Sequence, residues 1–199
     1  MTLPQIEFCN SWVYDDHFRD YYEKQQKDYP LYEGLENKKR RIERAWQKEG
    51  LLMLREVQKI AGLKWKEKKI QCFVVGRCVP FSFPLSISIY EKYPIDYTVD
   101  VLVHELIHQL FIQNEKEMKG VWKYFFRKYK KEDFNTVIHI PLHAIHLLVF
   151  MKFFGEGRLR REIDSVYDLP DYRRAWDIVM EQGAEDIVRE IRSRINIKI

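Results

Sequence analysis

The fold of this chain is decided by the stretch Val101-Leu102-Val103-His104-Glu105-Leu106-Ile107-His108-Gln109-Leu110-Phe111, which contains the pattern His-Glu-x-x-His. Most of the other residues in it are apolar, so it predicts a buried helix. Because residues four apart share one face of a helix, His104 and His108 can offer two imidazole nitrogens to one metal ion. Glu105 lies one step round the helix, where its carboxylate can act as general base toward a water on that metal. The stretch therefore predicts a zinc (Zn2+) site.

The composition predicts one soluble globular domain. With 199 residues, 46% of them hydrophobic, the chain can bury one substantial core. We find neither an apolar run long enough to cross a bilayer nor a charged leader before an apolar block, so we expect a cytoplasmic protein without a membrane partner. The 34 basic and 30 acidic residues are mostly interleaved, and the net charge of +4 gives no specific indication of nucleic-acid binding. Oligomeric state is not predicted.

Hydrophobic periodicity predicts an α+β fold that is mainly helical. We expect an N-terminal arm over residues 1–36, a catalytic core over 37–154 and C-terminal helices over 155–199, all within the single domain 1–199. Apolar residues at helical spacing predict an amphipathic helix over 37–61, which Gly62 ends. The β-forming run 69–75 predicts a strand.

The segment 83–90 alternates between apolar and polar side chains, which predicts a half-buried strand. Pro84 favours the edge of a sheet, because proline cannot donate to a ladder. An unpaired edge beside the metal helix would allow an extended peptide to add itself as a further strand. The alternative is an ordinary amphipathic strand without a ligand.

The third metal ligand must come from elsewhere, because a catalytic zinc usually takes three protein ligands and leaves one position for water. The segment 135–150 holds His139, His143 and His146. Proline is tolerated at the first helical position, so Pro141 predicts a helix that begins there with His139 just before it. We take His143 as the third ligand, with His139 and His146 as alternatives. The two that do not bind could orient the ligands or stabilise an oxyanion.

These residues resemble the gluzincin clan of zinc peptidases, and particularly its minimal single-domain members, the minigluzincins. The resemblance covers about residues 37–154 and rests on a long helix, an edge strand, the His-Glu-x-x-His helix and a second helix with the third ligand. It implies a domain like the catalytic domain of thermolysin, with a small sheet whose edge strand lies beside the motif helix. The third ligand in that family is typically glutamate, where this chain has His143 followed by Ala144.

The resemblance implies a zinc-dependent metallopeptidase that hydrolyses peptide bonds with a metal-activated water and Glu105 as general base. Its substrate, a peptide or protein, would bind extended along the 83–90 edge. Small members of the group are made as latent zymogens, in which a terminal segment blocks the cleft. Candidates for the blocking groups here are Cys9 and Asp15 or Asp16 in the N-terminal arm, and the C-terminal helices.

Two alternative functions stay open. One is a non-catalytic zinc-containing module that serves in binding or regulation, which a closed zinc site with four protein ligands would favour. The other is a protease associated with nucleic acid through its basic surface, which a strongly salt-dependent affinity for DNA would indicate.

Overall fold

The computed structural model describes residues 3–90 and 92–195. This part of the chain is α+β and mostly helical, as the sequence predicts. Its elements in chain order are β1 (Gln5–Asn10), α1 (Trp12–Lys24), α2 (Tyr32–Ala61), β2 (Lys69–Val75), β3 (Phe81–Ser82), β4 (Leu85–Ser88), α3 (Ile95–Gln113), α4 (Glu115–Lys128), α5 (Phe134–Phe153), α6 (Glu156–Ser165), α7 (Pro170–Gln182) and α8 (Ala184–Arg192).

The chain divides into two compact units. The first comprises Met1–Leu54 and Glu67–Gln109, and the second comprises Arg55–Lys66 and Leu110–Ile199. The first unit holds the sheet and the His-Glu-x-x-His motif of α3. The second unit holds α4 to α8.

The sheet of the first unit has the strand order β1-β2-β4-β3. Strands β1, β2 and β4 run parallel, and β3 pairs antiparallel with β4. The segment 83–90 therefore does not form the sheet edge that we expected, because β4 lies between β2 and β3. The reason is that Pro84 stands in the turn between β3 and β4, where its missing N–H interrupts no ladder.

The segment expected to be an N-terminal arm contributes a strand and a helix to the first unit. Strand β1 pairs with β2 along its whole length, from Gln5 opposite Lys69 to Asn10 opposite Val74. Ser11 then caps α1, because its side chain accepts a hydrogen bond from the backbone N–H of Tyr14. Parallel pairing with a strand 64 residues further on is a non-local choice that local periodicity does not encode.

Helix α5 is the central element of the second unit, where it contacts α4, α6, α7 and α8. It begins at Phe134, so the expected start at Pro141 is wrong. Pro141 lies inside the helix, where one backbone hydrogen bond is lost. Side chains between Thr136 and His146 are buried almost without interruption, and this burial offsets the lost bond.

The burial of α5 also bears on the membrane prediction. Among the described residues, α5 is a helix long and apolar enough to cross a membrane, contrary to our expectation that no apolar run is long enough. Within the protein, 67% of its apolar window is buried. The core helix of a globular unit passes the same test of length and composition.

Candidate functional site

Helix α3 carries the His-Glu-x-x-His motif in a single uninterrupted α-helix, as predicted. Pro94 precedes its first residue, and the backbone N–H of Thr98 donates to the Pro94 carbonyl to close the first turn. At the other end the Asn114 amide donates to the carbonyls of Leu110 and Lys64, at 2.8 and 2.9 Å. Because these ends are fixed, the motif has the regular spacing that places residues i and i+4 together.

His104 and His108 form a pair on this helix. Their ring centroids lie 5.2 Å apart, and a ligand nitrogen of one lies within 4.8 Å of a ligand nitrogen of the other. His104 is buried and His108 is half-buried. The pair therefore offers two imidazole donors on one helical face, which is the arrangement that the spacing predicts.

Glu105 is buried, with 7% of its surface exposed. Its negative charge contributes to the raised pKa of two thiols in the first unit. Burial raises the pKa of Cys78 to about 12, and the carboxylates of Asp15 and Glu105 contribute to that increase. Burial also raises the pKa of Cys72, again with a smaller contribution from Glu105. Both thiols are therefore protonated at neutral pH, which disfavours them as metal ligands.

The groups that we considered for blocking the cleft have structural contacts of their own. Asp15 is buried, and its Oδ1 accepts hydrogen bonds from the Tyr29 hydroxyl at 2.5 Å and the Gly76 N–H at 2.9 Å. Asp16 is exposed. Cys9 lies on β1, with its thiol 3.5 Å from the carbonyl of Glu7.

In the second unit, α5 presents its three histidines on one face. Because the helix begins at Phe134, His139, His143 and His146 lie at spacings i, i+4 and i+7. All three are buried, with at most 2% of their surface exposed. The three rings have different neighbours, and therefore each ring can perform different chemistry.

His139 is held in one tautomer by its contacts in the second unit. Its Nδ1–H donates to the carbonyl of Asn135 at 2.7 Å, which fixes the tautomer with the lone pair on Nε2. The Tyr172 ring lies against it, with the centroids 4.1 Å apart. Burial lowers the pKa of His139, so its imidazole is neutral at neutral pH, as a metal ligand must be.

His143, our choice from the sequence, packs instead against α7. Its ring stacks on the indole of Trp176, with centroids 4.1 Å apart and planes inclined by 10°.

His146 has a buried carboxylate as its neighbour. A ring nitrogen of His146 lies within 4.8 Å of a carboxylate oxygen of Glu162, and both residues are buried. The edge of the Phe150 ring covers the imidazole, with the centroids 4.2 Å apart. Burial, with a smaller effect of Arg158, lowers the pKa of His146 to about 3.

The sequence analysis missed Glu162, Asn135, Tyr172 and Trp176. Of these, Asn135 carried a signal, because it stands four residues before His139 on the helix that we began too late. Glu162 gave none, since it is one of several charged residues on the amphipathic helix α6.

The chain was compared with models of protein families, with curated proteins and with solved structures. No family model, curated protein or solved structure matched it.

Proposed function

We propose that this chain is a zinc-dependent metallopeptidase, with His104 and His108 of α3 as two of its metal ligands. The observation that carries the proposal is the buried His-Glu-x-x-His helix, with two imidazoles on one face and a carboxylate beside them. Three imidazole donors suit zinc, and a catalytic zinc site takes three protein ligands and keeps one position open.

The third ligand expected from the sequence is a histidine of α5, and we propose His139 for that role. The hydrogen bond from Nδ1–H of His139 to the Asn135 carbonyl is the kind of outer contact that orients a ligating histidine and sets its tautomer.

In the proposed reaction the chain supplies the base and the ligands. Zinc, when bound, polarises the scissile carbonyl and lowers the pKa of a water molecule. Glu105 takes a proton from that water as the oxygen attacks the carbonyl carbon, and then passes the proton to the leaving amine. The C–N bond of the peptide breaks, and a carboxylate and an amine are released. Burial of Glu105 strengthens its electrostatic interaction with the reacting atoms.

We further propose that the substrate peptide pairs with β3, which forms one of the two edges of the sheet. The side chain of Gln109, the residue after His108, donates a hydrogen bond to the Ser82 carbonyl of β3. This bond ties the edge strand to the motif helix within the first unit. An extended peptide added to that edge would gain main-chain hydrogen bonds without a demand on its sequence.

The test compares zinc content and peptide hydrolysis for the wild type and Glu105→Gln. We expect the variant to keep its zinc and to lose a factor of roughly 10² to 10⁴ in kcat, because the base is absent while the ligands remain. Glu115→Gln is the matched control, since Glu115 is exposed at the start of α4, and it should hydrolyse peptides at the wild-type rate.

Two results would reject the proposal. One is hydrolysis by Glu105→Gln at the rate of the control. The other is a wild-type protein that binds zinc but cleaves no member of a mixed peptide library, which would favour a non-catalytic module.

A further inference from the structure

A cavity lies in the first unit, between the beginning of α2 and the beginning of α3. Its volume is about 350 Å³, and its lining includes Leu35, Lys38, Arg41, Ile89, Tyr93 and Ile95. This volume falls in the range of cavities that bind small molecules. The proposed peptidase chemistry uses none of these residues.

One part of the lining is cationic. Lys38 is 9% exposed, and its Nζ donates to the backbone carbonyl of Tyr90, which fixes the ammonium group at the cavity wall. Arg41 stands three residues further along α2, on the same side of the helix, and is exposed to solvent. Two positive charges one helical turn apart favour a ligand group with two negative charges.

The beginning of α3 adds to the positive potential at the same place. Pro94 and Ile95, which line the cavity, stand where α3 begins, and α3 is a helix of 19 residues. The N-terminus of a helix carries a partial positive charge and directs backbone N–H groups outward.

The remaining wall is apolar and aromatic. Leu35 and Ile89 are buried, and Tyr93 is 42% exposed with its ring against those of Tyr90 and Tyr97. A ligand that places an anionic group between Lys38 and Arg41 can therefore cover an apolar part with these side chains.

We propose that this cavity binds a small molecule that carries a phosphate monoester, with the phosphate at Lys38 and Arg41 and the apolar part against Leu35, Ile89 and Tyr93. Two cations and a helix N-terminus fit a dianionic phosphate better than a carboxylate, which carries one charge. The proposal does not depend on zinc or on peptide hydrolysis.

The test is isothermal titration calorimetry of the full chain at constant ionic strength, with phenyl phosphate, inorganic phosphate and benzoate as probes. We expect saturable binding of phenyl phosphate with a Kd of about 1 mM or tighter. Inorganic phosphate should bind no more tightly, because it has no apolar part, and benzoate should bind more weakly than phenyl phosphate.

The decisive variant is Arg41→Ala, with Arg40→Ala as the matched control. Both residues are exposed on α2, but only Arg41 lines the cavity. We expect Arg41→Ala to weaken binding of phenyl phosphate by roughly 10-fold to 100-fold, and Arg40→Ala to leave it unchanged. Arg41 is preferred to Lys38 because removal of the buried Lys38 ammonium also removes its bond to Tyr90 and could unfold the chain.

Three results would overturn the proposal. They are the absence of saturable binding of phenyl phosphate, equal losses of affinity in Arg40→Ala and Arg41→Ala, and benzoate that binds as tightly as phenyl phosphate.

Discussion

At the scale of single residues, the three histidines of α5 should separate when zinc affinity is measured. His139→Ala should lose far more affinity than the roughly 10-fold to 100-fold that follows loss of an orienting group, because it removes a ligand of the proposed site. His143→Ala should keep zinc and lose stability, since it leaves a cavity beside Trp176. Competition with a chromophoric chelator measures the first effect, and thermal unfolding measures the second. If His143→Ala loses zinc while His139→Ala keeps it, the ligand assignment is wrong.

Asp15 allows a second prediction at this scale. Its carboxylate accepts hydrogen bonds from the half-buried Tyr29 and from the buried Gly76 N–H, and removing it would leave the Gly76 donor unsatisfied. We expect Asp15→Ala to lower the free energy of unfolding by about 2 kcal/mol. The exposed neighbour Asp16 is the control, and Asp16→Ala should change stability by less than about 0.5 kcal/mol. Urea denaturation compares the two variants, and equal effects would contradict the role given to Asp15.

At the scale of elements, two glycines in helices should respond oppositely to alanine. Alanine at a helix-interior glycine usually stabilises by about 1 kcal/mol. At Gly50 in α2 the added Cβ would overlap the indole ring of Trp46, a core residue with 6% of its surface exposed. Overpacking of this kind costs about 1 to 3 kcal/mol, so the clash outweighs the helix propensity.

We therefore expect Gly50→Ala to destabilise the protein by about 1 kcal/mol, whereas Gly157→Ala in α6 should stabilise it by about 0.5 kcal/mol. Apart from its chain neighbours and the backbone of its own helix, no atom of the described residues lies within 4 Å of a Cβ placed at Gly157. Thermal unfolding of both variants checks the pair. Stabilisation by Gly50→Ala would mean that Trp46 can move aside.

At the scale of the whole molecule, we expect the chain to take up protons when it unfolds in mild acid. The pKa of His146 is lowered from 6.5 to about 3 in the folded protein. Between these values the unfolded chain binds a proton that the folded chain does not, so stability falls as pH decreases, by up to about 1.4 kcal/mol per pH unit. His139 acts in the same direction, because burial lowers its pKa too.

This prediction is checked by urea denaturation of metal-free protein between about pH 7 and pH 4. His146→Leu should make stability less dependent on pH, because one group that takes up a proton on unfolding is removed. The exposed His17 is the control, and His17→Asn should leave the dependence unchanged. An identical pH dependence for His146→Leu and the wild type would contradict the assignment.

Local patterns in the sequence were enough to predict several elements. The β-forming run predicted β2 at Lys69–Val75, and the motif predicted α3 with His104 and His108 as a pair. The C-terminal helices expected over 155–199 are α6, α7 and α8. Each of these elements depends on hydrophobic periodicity and on helix-breaking residues within a few positions, and both can be seen directly in the sequence.

Tertiary structure alone decided the beginning of α5, the interior position of β4 and the burial of Asp15. Proline within α5 argues locally for a helix that begins at Pro141, but packing against four other helices stabilises the longer one. Strand β4 lies between β2 and β3 because it pairs in parallel with β2, from which it is 13 residues distant in register, as well as with its hairpin neighbour β3. Local propensity is worth less than about 1 kcal/mol per residue, whereas burial of a side chain is worth more, so packing prevails where the two disagree.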